Sequence, residues 1–269
     1  MVDNKKLQEK YDDVYQNGKE IFFSRFINGK DTSETDKVVW ESIDWSDKKV
    51  IDIGCGTGET AAGVAKLEAS SVLGIDYSDN AIKIANERHN IDNLRFKVGS
   101  FESVKLSNEN LFDVVMSLGT LEHMDDPKKV LIEMLEMVSK NGQVILTCPY
   151  FINTRGIVWM TLALLLDVPM SLTDKHFISP FDIREWLIDT DFELSKAAYF
   201  DYNQANGEAM IPDMNKRLKN ALRDANLPTE GVPKMIKWLK NVVNQESDAL
   251  HEMNGSSALY IIERKKHNA

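Results

Sequence analysis

The sequence predicts an α/β fold built on a doubly wound, mostly parallel sheet of seven strands. Short apolar runs alternate along the chain with segments whose apolar residues recur at helical spacing. This alternation is typical of βαβ units, in which helices cover both faces of a parallel sheet. The short runs are apolar at nearly every position, which indicates strands that are buried on both faces.

The elements follow from these patterns in order. The helix at 127–139 is the best marked, because Asp126 can cap it and Pro127 suits its first turn. Asn141 and Gly142 predict a turn after that helix. Strands are expected at 49–53, 71–75, 94–98, 112–118, 143–148, 192–200 and 257–264, and the other helices at about 33–43, 58–67, 79–89 and 181–189.

Two segments break the alternation and predict helical insertions at 150–180 and 203–254. The first holds an apolar run at 156–166, for which we expect a buried lid helix, although the run could also line an apolar pocket. A membrane surface is disfavoured for this run, because it lacks the Lys/Arg-rich polar face of interfacial helices. Helices with apolar faces, marked by Met214 and Leu218, are expected in the second insertion. We expect the two insertions to meet above the carboxyl ends of the strands and form a cap.

The chain is expected to form a single domain with three parts. Residues 1–48 would be an N-terminal helical cover, and 49–150 would be the ligand-binding core. Residues 151–269 would complete the sheet and carry both insertions. No Gly/Ser-rich linker separates these parts, so the sequence does not indicate a second domain.

Composition narrows the classes of partner. Acidic residues outnumber basic ones by 42 to 32, and the net charge of −10 argues against nucleic acid as a partner. Cys55 and Cys148 are the two cysteines and give no disulfide framework. No apolar stretch reaches the ~20 residues of a membrane-spanning helix, and the N-terminal residues lack the apolar core of a secretory signal. We therefore expect a cytoplasmic protein without stable membrane insertion.

The stretch "KVIDIGCGTGETAAGVAK" at 49–66 places Gly54, Gly56 and Gly58 between a strand and a helix. Ligands of open α/β sheets bind at this edge, where the carboxyl ends of the strands meet. The spacing is G-x-G-x-G, which differs from the G-x-G-x-x-G of dinucleotide sites. Asp76 ends the next strand and suits two ribose hydroxyls. Because the turn carries no Lys or Arg for a phosphate, the pattern favours a nucleoside without phosphates.

Four ordered segments carry a resemblance to a known family: "VIDIGCGTG" at 50–58, "VLGIDYS" at 72–78, "FDVVMSLGTLEH" at 112–123 and "LEMVSKNGQVILTCP" at 135–149. Together they resemble the class I S-adenosylmethionine-dependent methyltransferases, whose fold is Rossmann-like. The resemblance is strong over 45–150 and weaker over the last two strands. It implies S-adenosyl-L-methionine as the cofactor.

The resemblance also implies a set of residues that bind the cofactor. The three glycines would pass beneath its methionine part and ribose, and Asp52 would orient the amides of the turn or meet its amino group. Asp76 would hold the ribose hydroxyls. Ser100 stands where the family usually has an acid that accepts from the adenine amine. The other contacts implied are Cys55, Tyr77, Phe101, Ser117 and Leu118, with Tyr11, Tyr15 and Arg25 from the N-terminal helix.

Two histidines are candidates for a general base, which methyl transfer needs only when the acceptor must lose a proton. His123 follows the fourth strand on the ligand side of the sheet, and His176 precedes a helix in the expected lid. Either histidine could instead be a packed or exposed loop residue. Glu122, Asp125 and Asp126 lie close to His123 in sequence, but neighbouring residues of a turn rarely converge on one ion. No metal site is therefore predicted.

These observations predict an enzyme that transfers a methyl group to an oxygen or nitrogen of a small molecule, such as a metabolite, a sugar or a quinone-like compound. The alternative is a non-catalytic S-adenosylmethionine-binding sensor or partner subunit, which would share every cofactor motif. An aminopropyl or carboxypropyl transferase would need specialised contacts that the sequence does not reveal. The expected partner is the methyl acceptor, without nucleic acid, and a homodimer is left open.

Overall fold

The computed structural model describes residues 33–100, 111–168, 175–243 and 255–266. Its strands are β1 (Lys49–Ile53), β2 (Ser71–Asp76), β3 (Leu94–Val98), β4 (Phe112–Leu118), β5 (Val138–Pro149), β6 (Phe192–Phe200) and β7 (Ser257–Arg264). Its helices are α1 (Glu34–Trp40), α2 (Glu59–Lys66), α3 (Asp79–Arg88), α4 (Pro127–Glu136), α5 (Thr154–Leu166), α6 (Pro180–Trp186), α7 (Tyr202–Ala205), α8 (Met210–Asp224) and α9 (Val232–Val243), with a 3-10 helix at Leu121–His123. The helix expected at the N-terminus lies outside the described residues.

The strands form one seven-stranded sheet in the order β3-β2-β1-β4-β5-β7-β6. The strands from β1 to β5 pair in parallel, whereas β7 is antiparallel to both β5 and β6. Because β6 therefore runs in the same direction as β5, the carboxyl ends of all strands except β7 lie at one edge. The predicted fold class is confirmed.

Two apolar layers enclose the sheet. On one face, Leu131 of α4 and Ile183 of α6 belong to a buried cluster with Ile51 and Val115 of the central strands. On the other face, helices α1 and α2 pack against the strand residues that point the opposite way. The expectation that the strands are buried on both faces is wrong for β3 and β6, because these two strands form the edges of the sheet and each leaves three side chains exposed.

The start of β5 differs from the expected strand at 143–148. Helix α4 ends at Glu136, and β5 begins at Val138 and runs through the Asn141–Gly142 pair that predicted a turn. A register shift between Phe112 and Val114 of β4 accommodates the extra residues of β5. A Cβ at Gly142 would lie 2.8 Å from the Asp113 carbonyl oxygen, so glycine is needed there for close backbone approach and not for a turn.

The two insertions pack against each other. Trp159 of α5 lies in a buried cluster with apolar residues of α8 and α9, among them Met214 and Leu239. Arg155 forms an ion pair with Asp213 at 3.0 Å, which joins α5 to α8. Both insertions leave the sheet at the edge that holds the carboxyl ends of the strands, since they follow β5 and β6. Their position over a bound cofactor stays a prediction.

Helix α5 is less buried than its apolar sequence predicts. Among its residues only Gly156 and Trp159 are buried, whereas Leu164 and Leu165 are 69% and 76% exposed. The expectation of a buried lid helix is therefore wrong for most of α5 in the described part of the chain. The reason is that α8 and α9 cover only the side of α5 that carries Trp159.

The packing of the insertions predicts different costs for two tryptophans. Trp159→Ala should lower the free energy of unfolding by about 3–5 kcal/mol, because it empties a buried site. Trp238→Ala on α9 is the control, since this side chain is 53% exposed and should change stability by less than about 0.5 kcal/mol. Chemical denaturation followed by circular dichroism measures both. Equal effects would contradict the packing of α5 on α8 and α9.

Candidate functional site

The turn after β1 is built from left-handed backbone. Gly54, Gly56 and Gly58 have φ values of 78°, 53° and 85°. This conformation costs an L-residue with a side chain roughly 1–2 kcal/mol, so glycine is the residue that fits at each position. The three glycines therefore allow the chain to turn tightly from β1 into α2.

Asp76 at the end of β2 holds this turn in place. Its Oδ2 accepts a hydrogen bond of 2.9 Å from the Gly56 amide, and its Oδ1 accepts one from the Ser78 amide. The amides of Gly54 and Cys55 donate to the carbonyl of Ile75 in the same strand. A carboxylate has about four acceptor sites, so Asp76 can shape the turn and still accept from further donors.

Packing also requires two of the glycines. A Cβ at Gly54 would lie 2.6 Å from the Thr120 hydroxyl oxygen, and one at Gly58 would lie 2.4 Å from the Phe96 ring. Close packing is therefore a second reason for glycine at these two positions, besides the left-handed backbone. Thr120 and Phe96 give no motif signal, and their contact with the turn emerges only from the fold.

Asp52 is a buried carboxyl group beside the turn. Its side chain is 2% exposed, and its Oδ1 has no hydrogen-bond partner within the described residues. Burial, then the charges of Asp76 and Asp36, raise the pKa of Asp52 to about 8. A buried acid without a partner is costly when ionised, so this position suits a ligand that brings a positive charge.

A second layer of polar residues supports the turn from α3. Arg88 forms an ion pair of 2.7 Å with Glu59, and His89 Nε2 lies 3.1 Å from the Thr57 carbonyl oxygen. The Thr57 hydroxyl in turn donates to Glu59. Burial lowers the pKa of His89. The sequence reading missed these four residues, because nothing in their spacing sets them apart from an ordinary helix surface.

The other predicted binding residues lie at the same edge of the sheet but differ in burial and in hydrogen-bond partners. Ser100 follows β3 and is exposed, and the neighbouring Gly99 amide donates to the Asp76 carbonyl. Tyr77 is half-buried after β2. The Ser117 hydroxyl is buried and donates to the Ile53 carbonyl, so it joins β4 to β1. Burial raises the pKa of the Cys55 thiol, which keeps it protonated at neutral pH.

Some predicted residues cannot be placed. Tyr11, Tyr15, Arg25 and Phe101 lie outside the described residues. Leu118 ends β4 and is half-buried at the same edge as the glycine turn. The binding roles of these residues stay predictions.

The two candidate histidines lie on segments that are hydrogen-bonded to each other. His123 ends the 3-10 helix after β4, and the carbonyl of its neighbour Glu122 accepts from the amides of Lys175 and His176. Lys175 also forms an ion pair of 2.6 Å with Asp125, whose pKa this contact lowers. The fold thus brings both histidines to the carboxyl edge at β4.

Across the described segments, no group of three or more potential ligands is placed to hold a metal ion.

Aromatic rings gather beside these histidines. The rings of Tyr150 and Tyr199 lie 4.4 Å apart, and those of Phe151 and Phe177 meet edge to face at 5.0 Å. Tyr150 and Phe151 follow β5 directly, so both pairs lie near the carboxyl edge. Burial and the neighbouring Tyr199 raise the pKa of Tyr150 to about 12. Tyr150 is therefore a hydrogen-bond donor at neutral pH and not a base.

Comparison with known sequences identifies related proteins. A family model described as a methyltransferase domain matches residues 44–253. The mitochondrial ubiquinone biosynthesis O-methyltransferase of Schizosaccharomyces pombe is 30% identical over 167 residues, which are 59% of this chain and 60% of that protein. The ubiquinone biosynthesis O-methyltransferase of Pectobacterium atrosepticum is 28% identical over 165 residues, 58% of this chain and 66% of that protein. The match thus spans less than two thirds of the length of these relatives.

Comparison with solved structures shows the fold. The magnesium protoporphyrin IX methyltransferase ChlM of Synechocystis, solved with SAH bound, has a TM-score of 0.59 at 14% identity. The alignment covers 98% of this chain and 100% of ChlM. The [4+2]-cyclase SpnF has a TM-score of 0.59 at 18% identity, with 96% and 95% of the two chains covered. Both neighbours share the architecture of this chain, and SpnF is named as a catalyst of a different reaction.

The buried acid predicts how stability depends on pH. The pKa of Asp52 is about 8 in the folded chain and 3.8 in the unfolded one. Between these values the folded state binds a proton that the unfolded state has released, so stability should fall as pH rises from 4 to 8. Asp52→Asn cannot titrate, and we expect it to be more stable than the parent at pH 8 by on the order of 2–5 kcal/mol. Urea denaturation at pH 5 and pH 8 measures the difference, and equal pH slopes for the two proteins would contradict it.

Proposed function

Because the chain belongs to the class I S-adenosylmethionine-dependent methyltransferase family, we propose that it transfers the methyl group of S-adenosylmethionine to an oxygen of a small molecule. The observation that carries this proposal is the glycine turn, held by Asp76 at the carboxyl edge of the sheet and lying within the region that the family model matches. Methyl transfer to nitrogen is the less favoured form, since the relatives reported above are named as O-methyltransferases.

The residues of the turn fit this cofactor. S-adenosylmethionine has no phosphate, and the turn provides neither Lys nor Arg. We assign Asp52 to the cofactor's ammonium group, because a cation would neutralise the buried carboxylate and use its unpartnered oxygen. Asp76 would accept from the ribose hydroxyls, because it ends β2 beside the glycine turn at the carboxyl edge of the sheet. Tyr77 and Ser100 would lie beside the adenine.

The chemistry asked of the protein is mainly alignment. When bound, S-adenosylmethionine supplies a methyl group on a cationic sulfur, which is electrophilic without help from a side chain. The protein must place the acceptor oxygen in line with that methyl group and exclude water. His123 or His176 would take the proton that a hydroxyl acceptor loses.

The aromatic side chains at the edge favour a flat acceptor. The Tyr150–Tyr199 and Phe151–Phe177 pairs offer faces and edges for a ring to pack against. Tyr150, protonated at neutral pH, would donate a hydrogen bond to an acceptor oxygen. We therefore propose a quinone-like or phenolic ring as the acceptor in preference to a sugar.

Other features remain predictions from the sequence. They are the division into parts at 1–48, 49–150 and 151–269, a cytoplasmic location, the absence of a nucleic-acid partner and a possible homodimer. No helix among the described residues is long and apolar enough to cross a membrane.

Binding and transfer assays separate the enzyme from a sensor. S-adenosylhomocysteine at a hundred times its dissociation constant should stabilise the fold by ~2.7 kcal/mol, whereas NAD should not. With cofactor labelled in its methyl group and a panel of phenols and catechols, we expect labelled product by mass spectrometry. Binding without transfer to any acceptor would favour the non-catalytic sensor or partner subunit. Absence of binding would refute the proposal.

The same assay tests the two histidines. If His123 is the base, His123→Ala should reduce turnover by about a hundredfold or more, while the dissociation constant for the cofactor changes little. His176→Ala is the matched variant, because the two residues lie on hydrogen-bonded segments at one edge. A loss of turnover in His176→Ala alone would transfer the role to that residue. Full turnover in both variants would show that alignment suffices.

A further inference from the structure

Helices α8 and α9 carry a charge opposite to that of the whole chain, although the second insertion at 203–254 is neutral overall, with seven basic and seven acidic residues. Residues 210–243, which hold α8 and α9, contain seven basic and three acidic residues, although the whole chain has a net charge of −10. We call the outward surface of α8 and α9, away from Trp159, the lysine surface. Such a segregated charge indicates attraction to an anionic partner on this side of the molecule.

The basic residues of the lysine surface are largely uncompensated. Asp213 is engaged by Arg155 at 3.0 Å, and Asp224 pairs with Arg223 at 2.9 Å. In the part of the chain that the structure describes, the exposed lysines of α8 and α9 have no acidic partner within ion-pair distance. These lysines are Lys216, Lys219, Lys234, Lys237 and Lys240.

An apolar groove runs between the two helices among these lysines. It has a volume of about 430 Å³, and Ile211 and Pro212 of α8 face Pro233 and Ile236 of α9 across it. Lys219 and Lys240 line the same groove, one from each helix. The lysine surface therefore combines cations with an apolar depression.

Trp238 adds a large exposed ring to the same helix. It follows Lys237 directly on α9 and is 53% exposed, whereas Val232 and Leu239 of α9 are buried. Trp238 lies about 160° around the helix from Ile236 and Lys240, so it is on the far side of α9 from the groove.

From these observations we infer that the lysine surface docks onto an anionic lipid bilayer. Clusters of four to eight basic residues on an amphipathic helix bind anionic headgroups. The groove would contact the upper acyl region, while the stems of Lys219 and Lys240 reach back to the phosphates. A nucleic-acid backbone offers charge but nothing apolar to fill the groove, so a bilayer accounts for more of the surface.

The lysine surface lies on α8 and α9, whereas the apolar run for which the sequence raises a membrane contact lies on α5. A membrane contact is disfavoured for the run at 156–166 because the run has no basic residue, and the exposed face of α5 is indeed uncharged. The basic residues belong to the other insertion, which packs on the opposite side of α5. The inference does not depend on the proposed reaction.

Vesicle sedimentation with the full-length protein tests the inference. We expect binding to phosphatidylcholine vesicles that contain 30% phosphatidylserine, little binding to phosphatidylcholine alone, and loss of binding at high salt. Each basic residue near an anionic surface contributes about fivefold in partitioning. The double variant Lys219→Glu/Lys240→Glu should therefore bind at least ~25-fold more weakly.

A matched control separates the lysine surface from overall charge. Lys128→Glu/Lys129→Glu changes the net charge by the same amount, at exposed positions of α4, and should bind vesicles nearly as well as the parent once the added repulsion is screened. Trp238→Ala is a second control and should leave vesicle binding unchanged, because Trp238 lies on the far side of α9 from the groove. Circular dichroism confirms that each variant is folded.

Three results would overturn the inference. The first is equal vesicle binding by the two double variants, and the second is no binding to anionic vesicles at low salt. The third is binding of another partner in place of vesicles. It would appear as retention of a DNA or RNA duplex, or as a salt-sensitive dimer, that is lost in Lys219→Glu/Lys240→Glu.

Discussion

The hydrogen bond from the Gly56 amide to the Asp76 carboxylate fixes the geometry on which the rest of the site depends. It ties the turn after β1 to the end of β2, the neighbouring parallel strand. The left-handed glycines make the turn possible, and Thr120 and Phe96 close the space that side chains would otherwise fill. One carboxylate thus sets the shape of the turn and, within the proposed function, would also bind the ribose.

Asp52 differs from Asp76, because its carboxyl group is buried and its Oδ1 has no hydrogen-bond partner among the described residues. A protein that needed only a folded turn would gain stability from an amide or an apolar residue there. Burial raises the pKa of Asp52 to about 8, so the acid is mostly neutral at pH 7 in the free chain, and pairing with a cation would favour its ionised form. Within the proposed function, that cation is the ammonium group of S-adenosylmethionine.

The sequence predicts the sheet well, since five of its strands have the expected bounds. The motif residues Gly56 and Asp76 are hydrogen-bonded to each other at the carboxyl edge of the sheet, and their role in binding stays a prediction. The sequence does not reveal long-range packing. At Gly142, for example, the backbone lies close to β4, and the residues predicted as a turn form part of β5. The sequence also treats apolar α5 as buried, because burial depends on how much of a helix its neighbours cover. The support of the turn by Arg88 and His89 requires the three-dimensional register of α3.

Proton release on cofactor binding tests most directly the claim that Asp52 is the partner of a cationic ligand. At pH 7 a carboxyl group of pKa about 8 is mostly protonated in the free protein, and pairing with a cation should lower its pKa and expel the proton. Calorimetry of S-adenosylmethionine binding in two buffers of different ionisation enthalpy gives the number of protons released. The account predicts close to one proton for the parent and none for Asp52→Asn. Equal release by the two proteins, or none by the parent, would contradict it.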